Sequence, residues 1–260
     1  MNISVCCPSY KRPIVKTLKY LPFCKVYVDG SEYEEYKREN PTSNIVRCAD
    51  GVQGNVARVR NYILNQEFEA GADVVCIVDD DLKGIYRFDV DEDTKFGYVR
   101  NLIAEEDFLL FIEKYTILCE EFGFRLWGVN CNSDALSYRH YAPFSLSSII
   151  LGPFSCHLKS EIRYDEGLPL KEDYDIAIQH LNRYRGILRL NGYHYVCEQS
   201  TNKGGCATIR NRKREKEQFE LLQKKWGGDI VKIDKSNKGR TDKEKLFDYN
   251  PIIKVPIKGI

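Results

Sequence analysis

The chain has 260 residues, 30% of them charged and 43% hydrophobic, with a formal net charge of +1. That balance belongs to an ordinary globular protein large enough for one α/β core, and it excludes disordered and collagen-like chains. No apolar run approaches the roughly 20 residues that cross a bilayer, and Met1–Pro8 lacks the basic and long apolar regions of a signal peptide. No membrane association and a cytoplasmic location are therefore expected.

Charge is unevenly placed. From Ala207 to Ile260 there are 15 Lys and Arg against 8 Asp and Glu, which leaves the rest of the chain acidic. A basic tail on an acidic body is either a footprint for a polyanion or a solvated helix of mixed charge. The ten cysteines form no CxxC pair, and no histidine stands at zinc spacing from them. Reduced, mostly buried thiols are expected rather than disulfides or a zinc site.

In chain order, Ile3–Cys7 reads as a first strand closed by Pro8, Lys25–Val28 as a second, and Glu32–Asn40 as a short helix stopped by Pro41. Ile45–Cys48 is a third strand. Val56, Val59, Ile63 and Phe68 then follow a helical period, with Asn55 as N-cap and Gly71 as the stop. Val74–Val78 is continuously apolar, the signature of a central strand in a parallel sheet. A long amphipathic helix is expected over Phe108–Phe122, strands over Leu126–Val129 and Ser148–Leu151, and another amphipathic helix over Lys171–Tyr184. From Trp226 onward the pattern is weak and irregular structure is expected. Strands alternating with helices over the first 80 or so residues imply βαβ units and a doubly wound sheet.

Two acidic clusters carry the chemistry. Asp79-Asp80-Asp81 follows the strongest strand, at the end where ligands bind in open α/β sheets. Three adjacent carboxylates repel one another, and a hard divalent cation that keeps positions open for a pyrophosphate would relieve them. A polar strand end with one Asp capping a turn is the plainer account. Lys171-Glu-Asp-Tyr-Asp175 opens a helix, where acids are favoured in any case; a carboxylate held there can also act as a general base.

The order of motifs resembles the family 2-type glycosyltransferases of GT-A fold. Pro8-Ser-Tyr-Lys-Arg12, Val28-Asp29-Gly30-Ser31, Val59-Arg60-Asn61, Asp79-Asp80-Asp81 and Glu172-Asp173 occur in the family's sequence. The resemblance implies a Rossmann-like, doubly wound, mostly parallel sheet over residues 1–206, followed by a basic C-terminal helix and tail over 207–260. It implies a UDP-sugar donor, with Ser9 and Tyr10 at the base, Arg12 beside them, Asp29 on the uracil edge, and Arg60 near the uracil and phosphates. Arg58 rivals Arg60, because Val59 stands where relatives commonly have Ala. Asp80 would touch the ribose or sugar, while Asp81, assisted by Asp79, would hold Mn2+ or Mg2+. Asp173 would be the base in an inverting displacement, with Glu172 positioning it or contacting the acceptor and Asp175 as its rival. His194 is a candidate metal ligand, although a lone histidine in Tyr193-His-Tyr195 is more often a packed strand residue. Lys203, within Thr201–Cys206, is a candidate for the diphosphate.

A narrower likeness concerns Tyr164–Asp175, Gln179-His-Leu181 and Asn202-Lys-Gly-Gly205. These are similar to the TET/JBP-associated glycosyltransferases, a group of phage enzymes and the base J glucosyltransferase. It implies duplex DNA bearing a hydroxymethylated pyrimidine as the acceptor, in keeping with the basic tail and with base flipping or a major-groove hydroxyl. The run Tyr138, Arg139, His140, Tyr141 and Phe144 could contact such an acceptor or form an ordinary Tyr-rich loop. The alternatives are transfer to a polysaccharide, lipid or protein, and a non-enzymatic nucleic-acid-binding protein, which leaves both acidic clusters unexplained.

Overall fold

The computed structural model describes residues 1–95, 97–198, 205, 210–234 and 248–255. The expected βαβ start is present. Strands β1 (Ile3–Pro8), β2 (Lys25–Val28), β3 (Ile45–Arg47) and β4 (Val74–Val78) lie side by side in the order β3-β2-β1-β4, all parallel. Helix α1 (Tyr33–Glu39) precedes β3, and α2 (Val56–Glu69) connects β3 to β4. Asn55 caps α2 as expected, its side chain accepting from the Ala57 and Arg58 amides, and Gly71 ends the connection in the left-handed region at φ 92°.

The sheet is larger than the sequence pattern suggests. Beyond β4 come β9 (Phe154–Leu158), β7 (Leu126–Asn130), β10 (Leu188–Cys197), β5 (Leu82–Val90) and β6 (Tyr98–Leu102), with β8 (Phe144–Ser145) also paired to β10. β9 runs antiparallel between β4 and β7, β10 runs parallel to β7, and β5 runs antiparallel to β10. Most strands still point one way, so the doubly wound, mostly parallel architecture holds. The strand expected at Ser148–Leu151 does not form. Gly152-Pro153 delays it to Phe154–Leu158, whose five residues are all buried, while Ile150 packs beneath β7 in a cluster with Leu126, Ala177, Leu181 and Ile187.

Alternation along the central strands explains the two-sided core. Val74, Cys76 and Val78 face the layer that contains α1 and α3 (Glu105–Glu121), together with Phe108 and Ile112. Val75 and Ile77 face α2, with Ile63 and Leu64. Adjacent Cys6 and Cys7 divide between the same two layers. The nine cysteines among the described residues are all free. No helix among the described residues is long and apolar enough to cross a membrane.

The C-terminal segment shares this core. Helix α5 (Arg212–Trp226) packs Phe219 and Leu222 against Leu168 and against Ile178 of α4 (Glu172–Tyr184). Where irregular structure is expected after Trp226, β11 (Val231–Ile233) and β12 (Pro251–Ile253) form a two-stranded antiparallel sheet. Much of the basic character is neutralised locally: Lys213 with Glu217, Lys216 with Glu220, Arg212 with Asp248 and Lys225 with Asp165. Lys171, just before α4, and Glu215 of α5 are each 1% exposed and meet at 2.5 Å. Breaking such a pair from one side leaves a buried charge and costs about 3–5 kcal/mol. Glu215→Leu is therefore expected to destabilise the fold by about that amount in urea unfolding, and adding Lys171→Met should recover most of the loss. Additive losses in the double variant would remove the coupling.

Candidate active site

The fully buried strand β4 delivers three carboxylates to its C-terminal end, and each meets a different environment. Asp80 turns toward the loop after β1: its Oδ1 accepts from Arg12 Nη1 (2.7 Å) and its Oδ2 from Ser9 Oγ (2.7 Å). Ser9 Oγ also lies 2.9 Å from the Tyr36 hydroxyl, which accepts the Arg12 amide. Lys11 adopts φ 58°, an unusual conformation for a side-chain-bearing residue, and it folds the loop back over Asp80. Burial pushes the Asp80 carboxyl upward, against the pull of Arg12 and Ser9.

Asp79 faces the opposite layer, where its Oδ1 is 3.2 Å from Arg60 Nη2. Burial, joined by the charges of Asp81 and Asp80, outweighs Arg60 and raises Asp79 to about 6. Asp81 is buried, its carbonyl accepts the Glu198 amide (3.2 Å), and its carboxylate acts on the neighbouring Cys197 thiol. Glu198 in turn pairs with Lys16 and Lys83. The end of β10 is thereby anchored beside the acidic turn.

Arg60 joins this turn to the second acidic cluster. It is 3% exposed, and besides Asp79 it binds Glu172 Oε1 through Nη1 (3.1 Å) and the Gly152 carbonyl through Nη2 (3.1 Å). Its guanidinium lies 5.6 Å from the Tyr164 ring centroid. A Cβ at Gly152 would come within 3.1 Å of Arg60 Nη2, so the missing side chain permits this approach. Residues 152 and 153 are a junction. The Asp79 amide donates to the Pro153 carbonyl (3.1 Å), and the Gly152 amide donates to Asp173 Oδ2 (3.3 Å). Burial foremost, with Asp173 adding to it, raises Glu172 to about 8 despite Arg60.

The other expected site residues divide. Asp29 ends β2 and accepts from the Ser31 amide (2.9 Å) and hydroxyl (2.6 Å), bonds that lower its pKa. Tyr10 lies under the Lys11 ammonium (4.9 Å), and its carbonyl accepts the Gly205 amide (3.1 Å). Of the two rival arginines, Arg60 reaches the acids; Arg58 turns outward to Glu166 (2.8 Å) and the Gly51 carbonyl (2.8 Å).

Asp175 is not brought to the cleft. It is 0% exposed and is taken up by Trp226 Nε1 (2.7 Å), Lys225 (2.9 Å) and Gln179 (2.7 Å), because the helical period turns it away from Asp173 toward α5. His194 is also set apart. Cys197 is the β10 residue opposite Leu82, whereas His194 pairs with Tyr86, which places it roughly 13 Å down the strand from the acidic turn at about 3.3 Å per residue. There it packs on Tyr86 and Phe88, away from Asp81. Lys203 lies outside the described residues. Two contributors carry no sequence signal of their own: Tyr36, a buried helix residue, and Glu198, just after a strand end.

Among the described residues no group of three or more His, Cys, Asp or Glu side chains is arranged to hold a metal unaided. Two carboxylates at one strand end do suit a cation that takes its remaining ligands from water and phosphate, and Asp79 is raised by burial first and then by the charges of Asp81 and Asp80. The donor set therefore fits Mg2+ or Mn2+.

Among curated proteins, none matches the chain significantly. Solved structures of similar fold include S. aureus TarS 1–349, at 16% identity and TM-score 0.45, covering 75% of this chain; this chain spans 59% of that one. Glucosyl-3-phosphoglycerate synthase from Mycobacterium tuberculosis, solved with Mg2+ and UDP, is similar at 12% identity and TM-score 0.50, covering 93% of this chain and 86% of its own. At such identities the likeness concerns the fold, which is GT-A. Residues 22–205 match the TET-Associated Glycosyltransferase model, and the chain belongs to that family.

Proposed function

We propose that the protein transfers a sugar from a UDP-sugar to the hydroxymethyl group of a modified pyrimidine in DNA, with inversion at the anomeric carbon. The carrying observation is Arg60, one buried guanidinium that binds both the acidic turn after β4 and the acidic start of α4. Two clusters more than ninety residues apart in sequence are thus tied together at the C-terminal strand ends, where ligands bind in open α/β sheets. The UDP donor is supported by the similarly folded synthase solved with UDP, and the DNA acceptor by the family's association with TET proteins.

In this reading Ser9, Tyr10 and Asp29 form the nucleoside end, and Arg12 and Ser9 orient Asp80 toward the ribose or sugar. Asp79 and Asp81 would hold Mn2+ or Mg2+, which when bound supplies positive charge against the departing diphosphate. Asp173, oriented by the Gly152 amide, accepts the proton of the acceptor hydroxyl. The hydroxyl oxygen bonds to the anomeric carbon as the bond from that carbon to the diphosphate oxygen breaks. Glu172, held near 8, keeps its proton at neutral pH, so a second negative charge beside Asp173 is avoided. Residues 1–206 would supply this machinery, and 207–260 would brace α4.

Asp173→Asn is expected to lower kcat by about 10²–10⁴ with UDP affinity retained. Asp175→Asn should instead lower the unfolding midpoint, since it weakens the contact between α4 and α5. Equal kcat losses in the two would return Asp175 to the chemistry.

Glu172 also makes stability depend on pH. Its pKa is higher folded than unfolded, so its contribution is full below the ordinary carboxylate range and is lost as pH rises through about 8. Thermal scans between pH 5 and pH 8.5 should therefore show a fall in Tm that Glu172→Gln flattens; an unchanged slope would contradict the assignment.

The decisive assay offers a panel of UDP-sugars and duplex DNA containing 5-hydroxymethylcytosine, with Mn2+ or with EDTA. Metal-dependent mass addition on the base is expected. UDP release with unmodified DNA would turn the acceptor to a polysaccharide, lipid or protein, and retention at the anomeric carbon by NMR would overturn inversion.

A further inference from the structure

Arginines withdrawn from water in this structure have matched partners: Arg60 and Arg12 have carboxylates, and Arg163 has the carbonyls of Ser160 and Ile162. Arg189 of β10 departs from this pattern. It is half-buried, its one hydrogen bond among the described residues runs from Nε to Asn191 Oδ1 (3.1 Å), and it enters no ion pair there. Withdrawing a guanidinium from water without a counter-charge is unfavourable, so such a group is built to meet an anion.

Its position suggests which one. Ile187 packs against Ala177 and Leu181 of α4. Two residues further along, β10 has risen about 6.6 Å. Helix α4 runs the opposite way, and Asp173 lies about 6 Å beyond Ala177 at 1.5 Å per residue. By register Arg189 pairs with Gly128 and Gly128 with Ser155, three residues or about 10 Å short of Gly152, whose amide holds Asp173. The long arginine side chain spans part of that distance, and Cys131, the first residue after β7, is near enough to Arg189 and Asp173 for their charges to act on its thiol. Ser145 of β8 pairs directly with Arg189, so their side chains leave the sheet on the same face. Its hydroxyl meets that of Ser148 at 2.7 Å. β10 lies three strands from β4, roughly 14 Å at about 4.8 Å per strand, which puts Arg189 away from the donor diphosphate and on the acceptor side.

We propose that Arg189, with the hydroxyls of Ser145 and Ser148, seats a backbone phosphate of the acceptor DNA strand next to the nucleotide whose hydroxymethyl group faces Asp173. A planar guanidinium flanked by hydroxyls suits a phosphodiester, and the contact fixes the register of the strand without reading its bases. The inference rests on the DNA-acceptor reading and adds the group that holds the strand.

The test compares wild type with Arg189→Met and Arg189→Lys on duplex DNA containing 5-hydroxymethylcytosine. Arg189→Met should raise KM for DNA about tenfold or more, leave Kd for UDP as in wild type, and reduce the slope of log(kcat/KM) against log salt by about one; Arg189→Lys should fall between. A second arm needs no variant: a single neutral methylphosphonate linkage flanking the modified nucleotide should impair the wild type and have no further effect on Arg189→Met. Wild-type KM and salt slope in Arg189→Met, or indifference of the wild type to every flanking methylphosphonate, would overturn the inference while leaving DNA as the acceptor. Failure of the wild type to modify any such DNA would overturn the DNA-acceptor reading and this inference with it.

Discussion

The arrangement depends on one buried guanidinium. Arg60 comes from the interior of α2, and the acids that it binds among the described residues are Asp79, on the end of a strand, and Glu172, at the start of a distant helix. Asp79 supplies counter-charge and Glu172 a hydrogen-bond acceptor, and with both in place Arg60 becomes a cross-brace between elements that no short loop connects. The Gly152 carbonyl takes part because it is free to approach, while the amide of the same residue orients Asp173. A single residue therefore links the two clusters through its two flanking peptide groups.

The half of the fold that positions the donor side was legible because it obeys simple periodicities. β4 is apolar on both faces, α2 has a 3.6-residue stripe and an Asn cap, and the motifs sit at the ends of these elements. The other half was obscured for a physical reason. β9 reads Phe-Ser-Cys-His-Leu, an alternation that suggests one wet face, yet all five residues are buried. Its polar members satisfy each other, Ser155 with His157 and His157 with Tyr164 (2.9 Å), so hydropathy misreports their environment. β6 is the edge strand and β5 lies next to it, and both carry charged residues at positions that remain exposed.

The same distinction separates the site residues. Asp79, Asp80, Asp81, Glu172 and Asp173 are conspicuous in the sequence because acidic residues crowd at element ends, and the structure gathers them around Arg60 and the turn after β4. Asp175 and His194 are equally conspicuous in sequence, but their roles are decided by direction. Helical rotation carries Asp175 into α5, where Trp226 and Lys225 take up its charge, and strand register carries His194 into an aromatic stack. The basic C-terminal count was similarly ambiguous. Total charge says nothing about pairing, and in the described part of that segment many cations are matched to acids nearby or on α4.

Charge balance then connects the structure to its chemistry. Around the cleft stand Asp79, Asp80, Asp81, Glu172 and Asp173. Arg12 is committed to Asp80, and Arg60 is shared between Asp79 and Glu172. Burial first, and then the neighbouring carboxylates, raise Asp79 to about 6 and Glu172 to about 8. The cluster after β4 has its raised group next to further carboxylates, an arrangement that favours an incoming cation over a proton. At the start of α4 the raised group stands beside a single carboxylate held by a backbone amide, an arrangement that favours moving one proton at a time. On the proposed reading the two similar acidic patches take different tasks, and Arg60 is the side chain that ties one to the other.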